Sequence, residues 1–184
     1  MRFKKISILV MAVAFLFPNL AKADDVFLDN NAISEFSDAN SSIVISEYNT
    51  GKIISKRGEN EKVSVNKLPN YLALYLLTDD LKNKKTSLDD KITINKGDDV
   101  LSKYQITKEL TIKDAIFLLE NENSSSLLEA IFTKYNVDVE KANSILGAMS
   151  LNNTKLENLE NSDSNTSSAK DITFLNSVIL KNYP

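Results

Sequence analysis

The chain of 184 residues contains no cysteine and no histidine, and these two absences remove most of the common catalytic and metal-binding arrangements together. Without cysteine there is no disulfide, no thiol nucleophile and no cysteine metal site. Without histidine, a Ser-His-Asp triad and most zinc sites are excluded. Basic residues are outnumbered as well: 22 lysines and arginines stand against 25 aspartates and glutamates, a net charge of -3. Nucleic-acid affinity comes largely from lysines and arginines neutralising phosphates, so no nucleic-acid partner is expected. A hydrolase built from this composition must use serine, lysine, carboxylates or a hard metal ion. No cofactor and no metal site is expected.

The length gives room for one domain with a sizeable core. The first 23 residues stand apart from it. Arg2, Lys4 and Lys5 precede an apolar run over residues 6–17, and Ala21-Lys22-Ala23 follows with the small residues that signal peptidase prefers. The run is well short of the roughly 20 residues needed to span a bilayer. The expectation is therefore a signal peptide over 1–23, cleaved after Ala23, and a domain over 24–184. The product would be secreted across the cytoplasmic membrane into the periplasm or cell envelope, with no stable membrane span. Cleavage removes four basic residues, Arg2, Lys4, Lys5 and Lys22, which moves the net charge from -3 to -7.

Along the remainder, Ser42-Ile43-Val44-Ile45-Ser46-Glu47-Tyr48 and Lys52-Ile53-Ile54-Ser55-Lys56 are β-prone runs separated by Asn49-Thr50-Gly51, a composition that suits a hairpin turn. Residues 68–77 are apolar on every side, the mark of a helix buried in the middle of a domain. Pro69 is tolerated only in a first turn, so either the helix starts near Lys67 with Ser64 ahead of it, or its first turn is distorted. Residues 86–94 read as a polar turn and a brief alternating run. Thr111-Ile112-Lys113-Asp114 resembles a capping box, with Ile112, Ala115, Ile116 and Leu119 at helical spacing behind it. Further helices are expected from about Ser124, from 138 to 149, and after the capping box Ser168-Ala169-Lys170-Asp171. Residues 152–167 are polar and without pattern, and read as a loop.

The stretch that carries chemistry is Ser64-Val65-Asn66-Lys67. Three residues make about one helical turn, so a helix starting here would place the serine hydroxyl and the lysine amine on one face, a nucleophile beside a possible base. The hydroxyl is a weak nucleophile until a neighbour takes its proton, and lysine can do so once its pKa is lowered. Taken alone, the four-residue pattern also fits a solvated serine and lysine ahead of a core helix.

The order of the pieces resembles the serine D-alanyl-D-alanine carboxypeptidases, the low-molecular-weight penicillin-binding proteins, and more distantly the class A β-lactamases. The similarity runs over 41–184. It rests on the hairpin ahead of Ser64, on Thr86-Ser87-Leu88-Asp89-Asp90-Lys91-Ile92-Thr93-Ile94 after the apolar helix, on Glu109-Leu110-Thr111-Ile112-Lys113-Asp114 before the family's second motif, and on Leu151-Asn152-Asn153-Thr154 and Ser168-Ala169-Lys170-Asp171-Ile172. The fold this implies is α+β: a helical lobe plus the N-terminal β-hairpin of a penicillin-binding/β-lactamase-like transpeptidase fold, with the C-terminal sheet strands missing.

The resemblance implies acyl transfer, with Ser64 as nucleophile and Lys67 as base, on a peptidoglycan stem peptide or a β-lactam. The second motif, Ser-x-Asn, falls on Asn121-Glu122-Asn123. Asn123 matches its asparagine as a catalytic residue, while Asn121, on the substrate-binding side, stands where a proton-shuttling serine belongs. Glu122 places a carboxylate near a site that must accept an anionic C-terminus, where repulsion opposes binding. The third motif, Lys-Thr/Ser-Gly, is expected several dozen residues after 168–183, and the sequence stops before it. These departures predict an isolated chain of weak or no activity. The alternative is a non-catalytic secreted protein that binds cell-wall peptides or a partner. A two-stranded hairpin has a free edge, so pairing there with a second copy or a partner is also expected.

Overall fold

A computed structural model of the protein describes residues 42–183. The expected signal peptide over 1–23 lies outside the described residues, as does the stretch from there to 41. In chain order the elements are β1 (Ile43–Ser46), β2 (Ile53–Arg57), β3 (Val63–Ser64), α1 (Leu68–Lys82), β4 (Lys91–Thr93), α2 (Asp99–Lys103), β5 (Glu109–Thr111), α3 (Ile112–Asn121), α4 (Ser125–Tyr135), α5 (Val139–Ala148), β6 (Thr166–Ser167) and α6 (Ala169–Asn182).

Helix α1 is the centre of the packing. Leu68, Leu72, Ala73 and Leu77 are fully buried, and the helix is flanked by α3, α4 and α6. That is the outcome expected of a helix with no polar stripe. Pro69 lies in its first turn, where the missing N–H leaves no helical hydrogen bond unmade. Of the two readings of Pro69, the structure takes the first: the helix begins just after Lys67, and Ser64 lies ahead of it at the end of β3.

Four of the other helices start as their sequences dictate. Thr111 accepts from the amide of Asp114, Ser124 from Leu127, Asp138 from Lys141 and Ser168 from Asp171. Each cap gives a partner to an N–H that the helix itself cannot satisfy.

The strands make three separate antiparallel pairs, β1–β2, β3–β6 and β4–β5. In the first, Ile43 stands opposite Arg57 and Ile45 opposite Ser55, with a bulge after Ile45. The turn is closed by the carboxylate of Glu47, which accepts from the amides of Asn49 and Thr50 and from the Thr50 hydroxyl. The hydroxyl of Thr50 first, and then those two amides, hold the Glu47 carboxyl down at about 2. Gly51, at φ +72°, supplies the left-handed residue that the turn requires. Residues opposite one another in a pair share a face, so Ile45 lies on the covered side with buried Ser55. Ile54 points to the other face and is exposed.

The short elements α2, β5 and β6 have no signal in the periodicity of the sequence. The polar stretch 152–167 is a loop for most of its length, but it ends in β6, which pairs with β3 so that Ser64 stands opposite Thr166. It is organised by polar bonds around fully buried Asn165 rather than by apolar spacing. Among the described residues no helix is long and apolar enough to cross a membrane.

Candidate active site

The pairing of β3 with β6 brings the loop before β6 up against the Ser64-to-Lys67 motif. Asn165 shapes that loop. Its Oδ1 accepts from the amides of Glu157 (2.9 Å) and Asn158 (3.3 Å), and its Nδ2 donates to the carbonyl of Glu160 (2.9 Å). The loop then binds the motif at four points. The amide of Val65 donates to the Asn165 carbonyl at 2.8 Å, and the amide of Ser162 donates to the Asn66 carbonyl at 3.2 Å. Asn66 Nδ2 donates to Asp163 Oδ1 at 3.1 Å. Ser64 is exposed, and its Oγ donates to the Asp163 carbonyl at 2.8 Å. A hydroxyl has one proton to give, and here it is directed to that carbonyl.

Lys67 occupies the N-cap position of α1, without a side-chain capping bond, and is half-buried. Its Nζ donates to the main-chain carbonyl of Glu122 at 3.5 Å. One turn further along α1, buried Asn70 donates from Nδ2 to the carbonyls of Leu119 (2.7 Å) and Glu122 (3.3 Å). Two carbonyls facing the same end of the amide fix its orientation, since its oxygen could bond to neither. The Oδ1 of Asn70 is buried without a partner among the described residues. The first turn of α1 thus grips the end of α3 and the residue after it.

Glu122 is held from the other side. Lys103 Nζ (2.7 Å) and the Tyr104 hydroxyl (2.8 Å) both donate to its Oε1. The bond from Lys103, then that from Tyr104, lowers the Glu122 carboxyl below its ordinary value. The same contact raises Lys103 and Tyr104 above theirs. The negative charge expected to repel a substrate carboxylate is therefore paired with a lysine rather than bare.

Of the remaining sequence-derived positions, Asn123 is exposed, and its Oδ1 accepts from Asn161 Nδ2 at 3.3 Å. Asn121 ends α3, and its Nδ2 turns back to the Phe117 carbonyl at 2.7 Å. The fold thus assembles Ser64, Lys67, residues 122–123 and residues 161–163, while the Asn121 amide serves its own helix. Sequence reading missed Asn70, Lys103, Tyr104 and Asp163. For Asn70 a signal existed: it is the single amide in the otherwise apolar run 68–77. Among the described residues no group of three or more acidic side chains is placed to hold a metal ion. A shallow groove of about 220 Å³ lined by Lys91, Thr93 and Lys134 contains none of the site residues.

The family model described as D-alanyl-D-alanine carboxypeptidase matches residues 29–184. Comparison with curated protein sequences gives no match. Among solved structures, the fold is similar to penicillin-binding protein D2 from Listeria monocytogenes in its ampicillin-bound form, with a TM-score of 0.62, 14% identity, and 78% of this chain and 62% of that chain covered. It is similar to penicillin-binding protein 6B from Escherichia coli, with a TM-score of 0.61, 19% identity, and coverages of 77% and 49%. It is also similar to the D-alanyl-D-alanine carboxypeptidase DacD from Francisella tularensis, with a TM-score of 0.62, 16% identity, and coverages of 88% and 44%. The chain thus spans less than two thirds of the length of each of these structures.

Proposed function

This chain belongs to the D-alanyl-D-alanine carboxypeptidase family, and from that premise we propose that it is a serine-type D-Ala-D-Ala carboxypeptidase-like protein of peptidoglycan metabolism. Ser64 Oγ attacks the carbonyl between the two D-alanines of a stem peptide while its proton passes to the Lys67 amine. The C–N bond breaks, the proton goes on to the departing amine, and water then hydrolyses the ester to restore Ser64. Asn123, matched to the family's second motif, would serve as a hydrogen-bonding group for the substrate. A β-lactam, such as the ampicillin held by the Listeria protein, would acylate the same hydroxyl.

The observation that carries this reading is the placement of Ser64 at the end of β3 with Lys67 at the N-cap of the buried helix, its amine directed at residue 122. The resting contacts argue for slow turnover. The Ser64 proton is directed to the Asp163 carbonyl, so the hydroxyl must rotate before Lys67 can accept that proton. The test is release of D-alanine from a peptide ending in D-Ala-D-Ala. Slow release is expected, abolished in Ser64→Ala and reduced about 10²-fold or more in Lys67→Ala, the usual contribution of a general base. Equal release by Ser64→Ala would place the chemistry elsewhere.

The second reading, a non-catalytic binder of cell-wall peptides or of a partner, draws on the same Ser64 contact and on Asn121 standing in place of a proton-shuttling serine. It predicts saturable peptide binding with no D-alanine released. Acting on or binding peptidoglycan requires the protein to reach the cell wall, so we further propose that it lies outside the cytoplasmic membrane after cleavage of residues 1–23. We further propose that the β1–β2 hairpin, which has no third strand among the described residues, pairs its edge with a second copy or a partner.

A further inference from the structure

We propose that helix α2 is a positioning element for Lys67, acting through Glu122. The helix is only five residues long, but it holds the turn between α3 and α4 from both of its ends. At its start, Asp98 caps the helix by accepting from the Leu101 amide (2.9 Å), and its other oxygen accepts from the Ser124 hydroxyl (2.6 Å) and the Ser126 amide (3.1 Å). At its end, Lys103 and Tyr104 both donate to the Glu122 carboxylate. Leu101, fully buried, anchors the helix between the two ends. Residues 122–126 are therefore fastened at two points to one short helical segment.

The site end of that turn is the main-chain carbonyl of Glu122, where both the Lys67 amine and the Asn70 amide bond. A side-chain latch on the outside thus fixes a main-chain acceptor on the inside. The latch is more than one surface ion pair, which alone contributes little. Tyr104 adds a second donor to the same oxygen, sits edge-on to Phe117 of α3 at 6.2 Å, and lies 5.1 Å beneath the Lys103 ammonium. This gives the carboxylate at 122 a role: it ties the residue to α2. Glu122, Lys103 and Tyr104 are positioning residues.

The role assigned to Lys67 rests on the acyl-transfer reading above, but the latch can be read without turnover. The probe is solvent exchange of the Asn70 side-chain amide, followed by NMR on the uniformly ¹⁵N-labelled chain. In the double variant Lys103→Ala/Tyr104→Phe, that exchange is expected to be about tenfold faster, while backbone amides in the middle of α1, such as Leu72, keep their protection. Glu122→Gln retains an oxygen that accepts from both donors and is expected to keep the slow exchange. Unchanged Asn70 exchange in the double variant overturns the proposal. So does a loss in Glu122→Gln as large as in the double variant, or a loss spread evenly along α1. Failure of the latch leaves the Ser64 reading standing, and absence of D-alanine release leaves the latch standing.

Discussion

Replacing Asn165 by alanine removes the side chain around which residues 157–164 are arranged, and the consequence can be worked from its contacts. The amides of Glu157 and Asn158 lose their acceptor, and the carbonyl of Glu160 loses its donor. A buried backbone group left unpaired costs about 1–3 kcal/mol. One of the three bonds is long at 3.3 Å, and Glu157 and Glu160 lie at the exposed rim where water can substitute, so the sum belongs near the low end, about 3 kcal/mol. For a chain of this size that corresponds to a fall in melting temperature of about 6–12 °C. Urea and thermal unfolding of the wild type and Asn165→Ala measure it, with an unchanged m-value as the sign that stability alone has moved. The same loop carries Asp163, so the variant should also free the Ser64 hydroxyl from its carbonyl. A loss below about 0.5 kcal/mol, within the range of ordinary surface changes, would refute the reasoning by showing that the loop holds its shape without Asn165.

The Asp98 carboxyl gives a pH prediction. Burial opposes its charge, but bonds from Ser124, Leu101 and Ser126 outweigh this and hold it below the ordinary aspartate value. A depressed folded pKa contributes stability that is present above the unfolded value and lost as the pH falls through the folded one. Acid unfolding of Asp98→Asn should therefore be shallower across that range than in the wild type, and parallel curves would show that Asp98 is not its source. Leu72→Ala, in the fully buried face of α1, should cost about 2–5 kcal/mol in denaturant unfolding. Ile45→Lys, on the covered face of the hairpin, should lower the melting temperature and, by light scattering, dissociate any assembly made through that edge. An assembly that survives it pairs elsewhere. N-terminal sequencing of the exported product should begin at Asp24, and intact Met1 in the membrane fraction would overturn the cleavage expectation.

The core of this fold is readable where apolar spacing and caps coincide. Leu68 to Leu77 reads as buried because it has no polar stripe, and Thr111, Ser124, Asp138 and Ser168 mark helix starts because each presents a side-chain oxygen to the amide three residues on. The strands β5 and β6 are too short to show an alternation, and their pairing depends on residues far away in sequence. The candidate site divides in the same way. Ser64 and Lys67 are visible because they are close together in the chain. Asp163 and Lys103 are not, because Ser64 meets the former across 99 residues and Glu122 meets the latter across 19. The bond to Asp163 is made to a main-chain carbonyl, an acceptor every residue carries, so no residue type could have announced it.

The central claim, that Ser64 is the acylated nucleophile, is tested most directly by intact-mass spectrometry of the chain after incubation with a β-lactam, followed by peptide mapping. A slowly formed adduct of one β-lactam per chain is expected, located on the peptide that carries Ser64 and absent from Ser64→Ala. An adduct that persists in Ser64→Ala, or a wild-type chain that stays unmodified after prolonged exposure while still folded, would contradict it.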